Sequence, residues 1–168
     1  YFNGNGGVGG GITNTAVISA PSGVNFYDFI LDVRDSNPSS GNDGLAISIQ
    51  AGHTITVEND LLLENGKIIG GEILLQGDLQ TECAITSFQD CAGNSTVNIT
   101  FNGNVDQSLN QAASSIVTNG LVSLNKPSGN VILQTNVSLD AAGQDLDIQD
   151  GDILMSGYDL TIDDTLSM

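Results

Sequence analysis

DLLLENGKIIGGEILLQGDL, residues 60–79, is the stretch that decides the fold, because the chain repeats it. DLDIQDGDILMSGYDLTIDDTL, residues 145–166, is the same phrase with two extra residues near its middle. Asp60 aligns with Asp145, Gly66 with Gly151 and Ile68 with Ile153, all at an offset of 85 (145 − 60). Beyond the insertion Ile73 aligns with Leu160, Leu75 with Ile162 and Leu79 with Leu166, at 87 (166 − 79). In both copies short bursts of alternating apolar and polar residues end on Gly, Asn or Asp. Alternation sends side chains to opposite faces of a strand, and Gly and Asx residues supply tight turns. The phrase therefore reads as strand, turn, strand, turn, strand. Its apolar positions Leu61, Leu63, Ile68, Ile73, Leu75, Leu146, Ile148, Ile153, Leu160 and Ile162 are expected to point into a core.

The likeness extends outward from this phrase. FNGN stands at Phe2 and again at Phe101. FYDFILDVRDSNPSSGNDGLAISI, residues 26–49, corresponds to VTNGLVSLNKPSGNVIL, residues 117–133, each with a Pro-Ser-Gly type turn. Pro fixes φ and Gly accepts positive φ, so both segments turn for a stated reason. HTITVEND, residues 53–60, matches NVSLDAAGQD, residues 136–145. Two units follow: 1–97, with longer loops and a Cys83/Cys91 loop, and 98–168. The second lacks any counterpart of residues 80–97, so the natural chain is expected to continue past Met168. Tyr1 opens in mid-phrase, as in a processed or fragmentary chain.

Composition narrows the class. At 168 residues the chain is long enough for one domain with a real core. Aromatic residues make up only 5% and Trp is absent, so Leu, Ile and Val must fill that core. The formal net charge is −17, with Arg34, Lys67 and Lys126 the only basic side chains. A nucleic-acid partner would be repelled. No apolar run reaches the ~20 residues of a membrane helix, so no insertion by that route is expected. The one stretch with helical propensity, NQAASS at residues 110–115, is too short to nucleate alone. Strands spaced by turns leave two all-β architectures: a parallel β-helix or β-solenoid built from two degenerate repeat units, and, as the alternative, tandem antiparallel β-sandwich domains. Very short apolar clusters and scarce aromatic anchors favour the solenoid.

From Phe101 onward the order of motifs resembles the repeat region of very large Bacteroidetes-type cell-surface proteins. Phe101, Gly103, Gln107, Leu124, Asn125, Lys126, Ser128, Gly129, Val131, Leu133, Leu146, Ile148, Gly151, Ile153, Gly157, Leu160 and Ile162 fit that pattern. The second unit matches along nearly its whole length, the first from about Ile47 to Leu79. The resemblance implies export to the cell surface by the type IX route, an extracellular location, and a role as adhesin, stalk or filament element. It implies no catalytic residues.

The residue types that carry chemistry have plain readings. Asp140, Asp145, Asp147, Asp150, Asp152, Asp159, Asp163 and Asp164 would suit Ca2+ if stacked turns converged them. No calcium-binding nonapeptide or EF-hand loop surrounds them, so they read as solvated carboxylates, and the expectation is no cofactor and no metal site. Cys83 and Cys91 bracket AITSFQD without zinc-type spacing. In an exported chain they are expected to form a disulfide that closes a small loop. His53, the single histidine, sits in a turn-like Ala-Gly-His-Thr sequence, and no Gly-x-Ser-x-Gly elbow occurs. The Gly-rich run at residues 4–11 lacks the Lys-Ser/Thr of a phosphate loop. The expectation is a structural, non-catalytic segment whose partners are further repeat units or neighbouring protomers. The alternative is a glycan-binding or glycan-cleaving β-helix, although Tyr27 and Tyr158, its natural sugar platforms, lie far apart in the sequence. The final stretch, LTIDDTLSM, keeps strand rhythm with nothing to stop it, so residues 161–168 are expected to be covered in the native state.

Overall fold

A computed structural model describes residues 2–5, 15–19, 23–34, 46–82, 95–113, 115–140, 143–163 and 165–168. Among them the chain forms strands and no helix. In order these are β1 (Phe2–Asn5), β2 (Thr15–Ile18), β3 (Val24–Phe26), β4 (Phe29–Arg34), β5 (Ala46–Ile49), β6 (Thr54–Val57), β7 (Leu61–Asn65), β8 (Lys67–Ile69) and β9 (Glu72–Leu75). There follow β10 (Leu79–Thr81), β11 (Asn98–Phe101), β12 (Gln107–Gln111), β13 (Val122–Leu133), β14 (Val137–Leu139), β15 (Leu146–Leu154), β16 (Leu160–Ile162) and β17 (Leu166–Ser167).

Every pairing among the described strands is parallel. The antiparallel sandwich therefore has no strand pair to stand on. Parallel neighbours cannot be joined by a hairpin and need a long connection between them. Here other strands supply that connection. The first ladder runs β1-β4-β7-β10-β12 and on through the second halves of β13 and β15. The second holds β2-β5-β8 and, after a gap, β14-β16. The third runs β3-β6-β9-β11, then the first halves of β13 and β15, then β17. From β1 to β10 and again from the first half of β13 to β17 the chain visits the three ladders in rotation, and between β10 and β13 the described strands alternate between first and third. A circuit varies from 18 residues, Leu61 to Leu79 (79 − 61), to 32, Phe29 to Leu61 (61 − 29). Only the strands must stack, so loops absorb the difference.

Strand alternation and parallel register together build columns of like side chains through the interior. Ile55, Ile73, Ile99, Val122 and Leu146 are successive partners in the third ladder, and each is at most 1% exposed. Phe29, Leu61, Leu79, Leu109 and Leu133 form the matching column in the first, each at most 4% exposed. Each such side chain taken from water contributes about 1.5–3 kcal/mol. All ten residues expected inside do face the core. Leu61, Leu63, Ile68, Ile73, Leu75 and Leu146 are buried, whereas Ile148, Ile153, Leu160 and Ile162 are half-buried against it. Burial weakens in the final circuit, which has a neighbour on one side only among the described strands.

The repeated phrase keeps its local conformation but changes ladder. Its first copy starts in β7, on the first ladder, and its second in β15, on the third. The aligned glycines Gly66 and Gly151 nevertheless share φ values of 101° and 99°. Each parallel ladder is built of the same strand and turn, so one phrase fits any of them. The repeat is a property of the strand-turn unit and not of one face.

Candidate functional site: a buried polar seam and a stacked acidic corner

Two polar features interrupt this apolar regularity. The first is a seam inside the first ladder. The alternation of β12 puts Gln107, Leu109 and Gln111 on the inward face, and both glutamines are buried. Gln107 lies at the corner between the third and first ladders. Its Nε2 donates to the carbonyl of Leu75 at 3.0 Å and to that of Gly77, while its Oε1 accepts from the Gly103 N–H at 2.9 Å. Lys126, 1% exposed, closes the corner from the next circuit. Its Nζ donates to Gly103 O at 3.0 Å, Val105 O at 2.9 Å and Gln107 Oε1 at 2.5 Å. Three donors meet three acceptors, the full complement of an ammonium. Burial pulls the Lys126 pKa below its ordinary value, and the Asp106 carboxylate opposes that fall. With every N–H engaged, the amine has no lone pair directed at a reacting atom. It ties two circuits together.

Gln111 performs a related task where the second ladder has no strand among the described residues. Its Oε1 accepts the Ser138 N–H at 2.8 Å and its Nε2 donates to Ser115 O at 2.6 Å and Ser138 O at 3.3 Å. A side-chain amide thus replaces the peptide group that a strand would have offered. Around it the hydroxyls of Thr81 and Ser115 hydrogen-bond each other, and Ser115 Oγ donates to Ala112 O at 2.7 Å. Thr118 Oγ1 donates to Val97 O at 2.8 Å and accepts from Gly120 N at 3.0 Å.

The second feature runs up the outside of the corner that leads into the first ladder. Asp28 Oδ1 accepts the Asp60 N–H at 3.3 Å and the Asn59 side-chain amide at 2.9 Å. The Asp60 carboxylate accepts the Asp78 N–H, and Asp78 Oδ1 accepts the Ser108 N–H at 2.7 Å. Asp106 Oδ1 repeats the device on Asn130 N at 2.9 Å. Each carboxylate caps a backbone donor of the circuit above, as an Asx residue caps a turn. Stacking like charges has a consequence for Asp60. Loss of water around its carboxylate raises its pKa, and Asp78 and Asp28 raise it further, against the Asp78 N–H. Beside Asp60 and Asp78 a shallow groove of about 180 Å³ opens on the outer face, lined also by Leu62, Gln80, Ser108, Asn110 and Gln134.

The acidic residues singled out from the sequence are elsewhere and apart. Asp147 accepts from Ser167 Oγ at 2.6 Å and Gln149 Nε2 at 2.7 Å, and these bonds hold its pKa below the usual carboxylate value. Asp140, Asp150, Asp152, Asp159 and Asp163 are exposed, Asp145 is half-buried, and Asp164 lies outside the described residues. Among the described residues no three His, Cys, Asp or Glu side chains are grouped to hold a metal ion. His53 is half-buried at the mouth of a second hollow, shared with Gly52, Thr54, Gly71, Glu72 and Asn98. Tyr27 and Tyr158 are both exposed, at opposite ends of the strand stack. Cys83, Cys91 and residues 6–14 of the Gly-rich opening lie outside the described residues.

Sequence reading missed the seam because Lys126 looked like one of a few scattered cations. The signal was present in QSLNQ, residues 107–111, where alternation about Leu109 sends two glutamines inward. Comparison with protein families, with curated proteins and with solved structures finds no match for this chain.

Proposed function

We propose that the chain is a parallel β-helix, a β-solenoid of degenerate repeat units, serving as a non-catalytic structural segment of a large extracellular surface protein. The supporting observation is the all-parallel stacking of the described strands in ladders around buried columns rich in Ile, Leu and Val. In such a stack each circuit hands its backbone hydrogen bonds to the next, and stability is roughly a sum over neighbours. Length then grows by addition of circuits without redesign of the core. The polar groups within it have mechanical work. Gln107, Gln111 and Lys126 bridge circuits, and the Asp28-Asp60-Asp78 corner caps backbone donors. The acidic exterior keeps such a stack dispersed and discourages lateral pairing of strands. The sequence resemblance to Bacteroidetes-type surface repeats supports the extracellular placement.

Tandem copies joined in frame test the mechanical part. Electron microscopy is expected to show a rod that lengthens by a constant increment per copy; globular beads on a string would overturn it. Thiol labelling of the unreduced chain tests the oxidising location. No uptake at Cys83 and Cys91 is expected, and two labelled thiols count against export.

The groove beside Asp60 and Asp78 favours a second reading, a glycan-binding or glycan-cleaving face, since carboxylates and amides suit sugar hydroxyls. Release of reducing ends from a polysaccharide panel would select that reading over the structural one.

A further inference from the structure

We infer that Asn102 and Asn119 are latent deamidation sites, each kept closed by one side chain that engages the N–H of the glycine after it. Gln107 guards Asn102 and Thr118 guards Asn119. Asn-Gly stands at residues 102–103, in the corner between the third and first ladders, and at residues 119–120, just ahead of β13. The chemistry is that of any Asn-Gly step. The glycine nitrogen gives up its proton to water and attacks the asparagine Cγ, forming an N–Cγ bond. The Cγ–Nδ2 bond breaks, ammonia leaves, and water opens the resulting imide ring to aspartate or isoaspartate. Glycine makes this fast because no side chain hinders its nitrogen. Packing nevertheless requires glycine at both places. A Cβ on Gly103 would run into the carbonyl oxygen of Gln76, and one on Gly120 would lie 2.5 Å from that of Val97. Main chain of the circuit below leaves no room for a side chain, so neither step can be slowed by replacing its glycine.

The nucleophile is occupied at each step. The Gly103 N–H donates to Gln107 Oε1 at 2.9 Å, and the Gly120 N–H donates to Thr118 Oγ1 at 3.0 Å. Removing a proton from an engaged amide away from water is harder than removing one from a solvated amide. The electrophile is equally unprepared. The Oδ1 atoms of Asn102 and Asn119 are buried and have no hydrogen-bond partner among the described residues. Attack at Cγ puts negative charge on this oxygen, and a dry oxygen without a donor leaves that charge unstabilised. A donor set against either Oδ1 would satisfy it in the folded chain and would also activate its carbonyl.

The backbone around each step is fixed as well. The Asn102 N–H donates to Leu75 O at 2.9 Å and the Asn119 N–H to Ser95 O at 2.7 Å, while Gly103 O accepts from Lys126 Nζ at 3.0 Å. Swinging the glycine nitrogen onto Cγ requires such bonds to break together. Opening of a corner is therefore what exposes the site. Conversion then makes the opening permanent, because isoaspartate carries an extra methylene in the main chain. A corner packed against the backbone of the circuit below cannot absorb that added length.

The test incubates the 168-residue chain in mildly alkaline buffer and follows aspartate and isoaspartate at each position by peptide mapping. The folded chain is expected to keep Asn102 and Asn119 intact, and the same chain in urea to convert both. Gln107→Leu is expected to speed conversion of Asn102 at least about tenfold, the scale of one lost hydrogen bond, and to leave Asn119 unchanged. Thr118→Val is expected to do the reverse. Gln107→Glu and Thr118→Ser keep an accepting oxygen and are expected to keep the protection. The other asparagine in each variant reports on global unfolding, which would speed both. Should a variant lose its fold, hydrogen exchange at the Gly103 and Gly120 amides of the unaltered chain decides: slow exchange at both supports the guards, and exchange at the rate of a solvated amide overturns them. Conversion in the folded unaltered chain at the urea rate also overturns the inference. So does equal acceleration of both asparagines in a variant whose β-sheet circular dichroism is unchanged.

Discussion

Lys126 Nζ donates to Gln107 Oε1 at 2.5 Å, joining side chains that stand 19 residues (126 − 107) and one circuit apart. The bond ends a chain of contacts that begins at the carbonyls of Leu75 and Gly77, so three successive circuits meet at one corner. A buried charge is costly unless every donor is used, and here every donor is used.

Removing either member should therefore cost more than a surface substitution. Lys126→Met leaves the carbonyls of Gly103 and Val105 and the Gln107 oxygen without this donor, and a loss of about 2–4 kcal/mol is expected. Gln107→Leu should lose a similar amount. Urea unfolding of the two singles and the double should show clear non-additivity, and simple addition would mean the two side chains act independently.

Asp60 should make the fold less stable as its proton leaves. Its folded pKa is raised above 3.8 by desolvation and then by Asp78 and Asp28. Between 3.8 and that raised value the folded chain holds more protons than the unfolded one, so this contribution falls as pH rises through the window. Asp60→Asn keeps an oxygen for the Asp78 N–H and sheds the charge. It should stabilise the chain at neutral pH and give no gain below 3.8. A gain that persists in strong acid would show that charge is not the cause.

Core truncations should follow a gradient along the stack. Ile73 is fully buried in mid-column, and Ile73→Ala should cost about 2–5 kcal/mol through the cavity it leaves. Ile153, half-buried in the final circuit, should cost on the order of 1 kcal/mol when cut to Ala. Equal losses in denaturant midpoints would contradict the weaker packing of that end.

Corner glycines divide into two kinds that one substitution separates. A Cβ on Gly77 would lie 1.7 Å from the backbone oxygen of Asn59 in the circuit below. No rotamer relieves a clash with main chain, so Gly77→Ala should cost at least about 3 kcal/mol or prevent folding. Gly52 has φ of +78° but nothing within 4 Å of the same position. There the cost of Ala is that of the left-handed conformation, about 1 kcal/mol. Thermal midpoints in the reverse order would mean that the circuits are not in close backbone contact at Gly77.

The sequence by itself determined the strand-turn grammar and which side of each strand is apolar. Leu61, Ile73 and Leu146 could be placed inside from alternation because a strand's faces follow from backbone geometry alone. It also carried the positive φ of Gly66 and Gly151, since the two aligned positions share one local conformation. What it left open was which strands become neighbours. Leu61 pairs with both Phe29 and Leu79, at separations no local pattern contains, and circuits of unequal length hide the period. Tertiary stacking alone decided that the repeated phrase would occupy different ladders. It also turned Lys126 from a scattered cation into a buried staple, because its acceptors are carbonyls supplied by a different circuit. The Asp28-Asp60-Asp78 corner has the same origin. Each carboxylate looks solvated along its own strand, and only the circuit above brings the N–H that it caps.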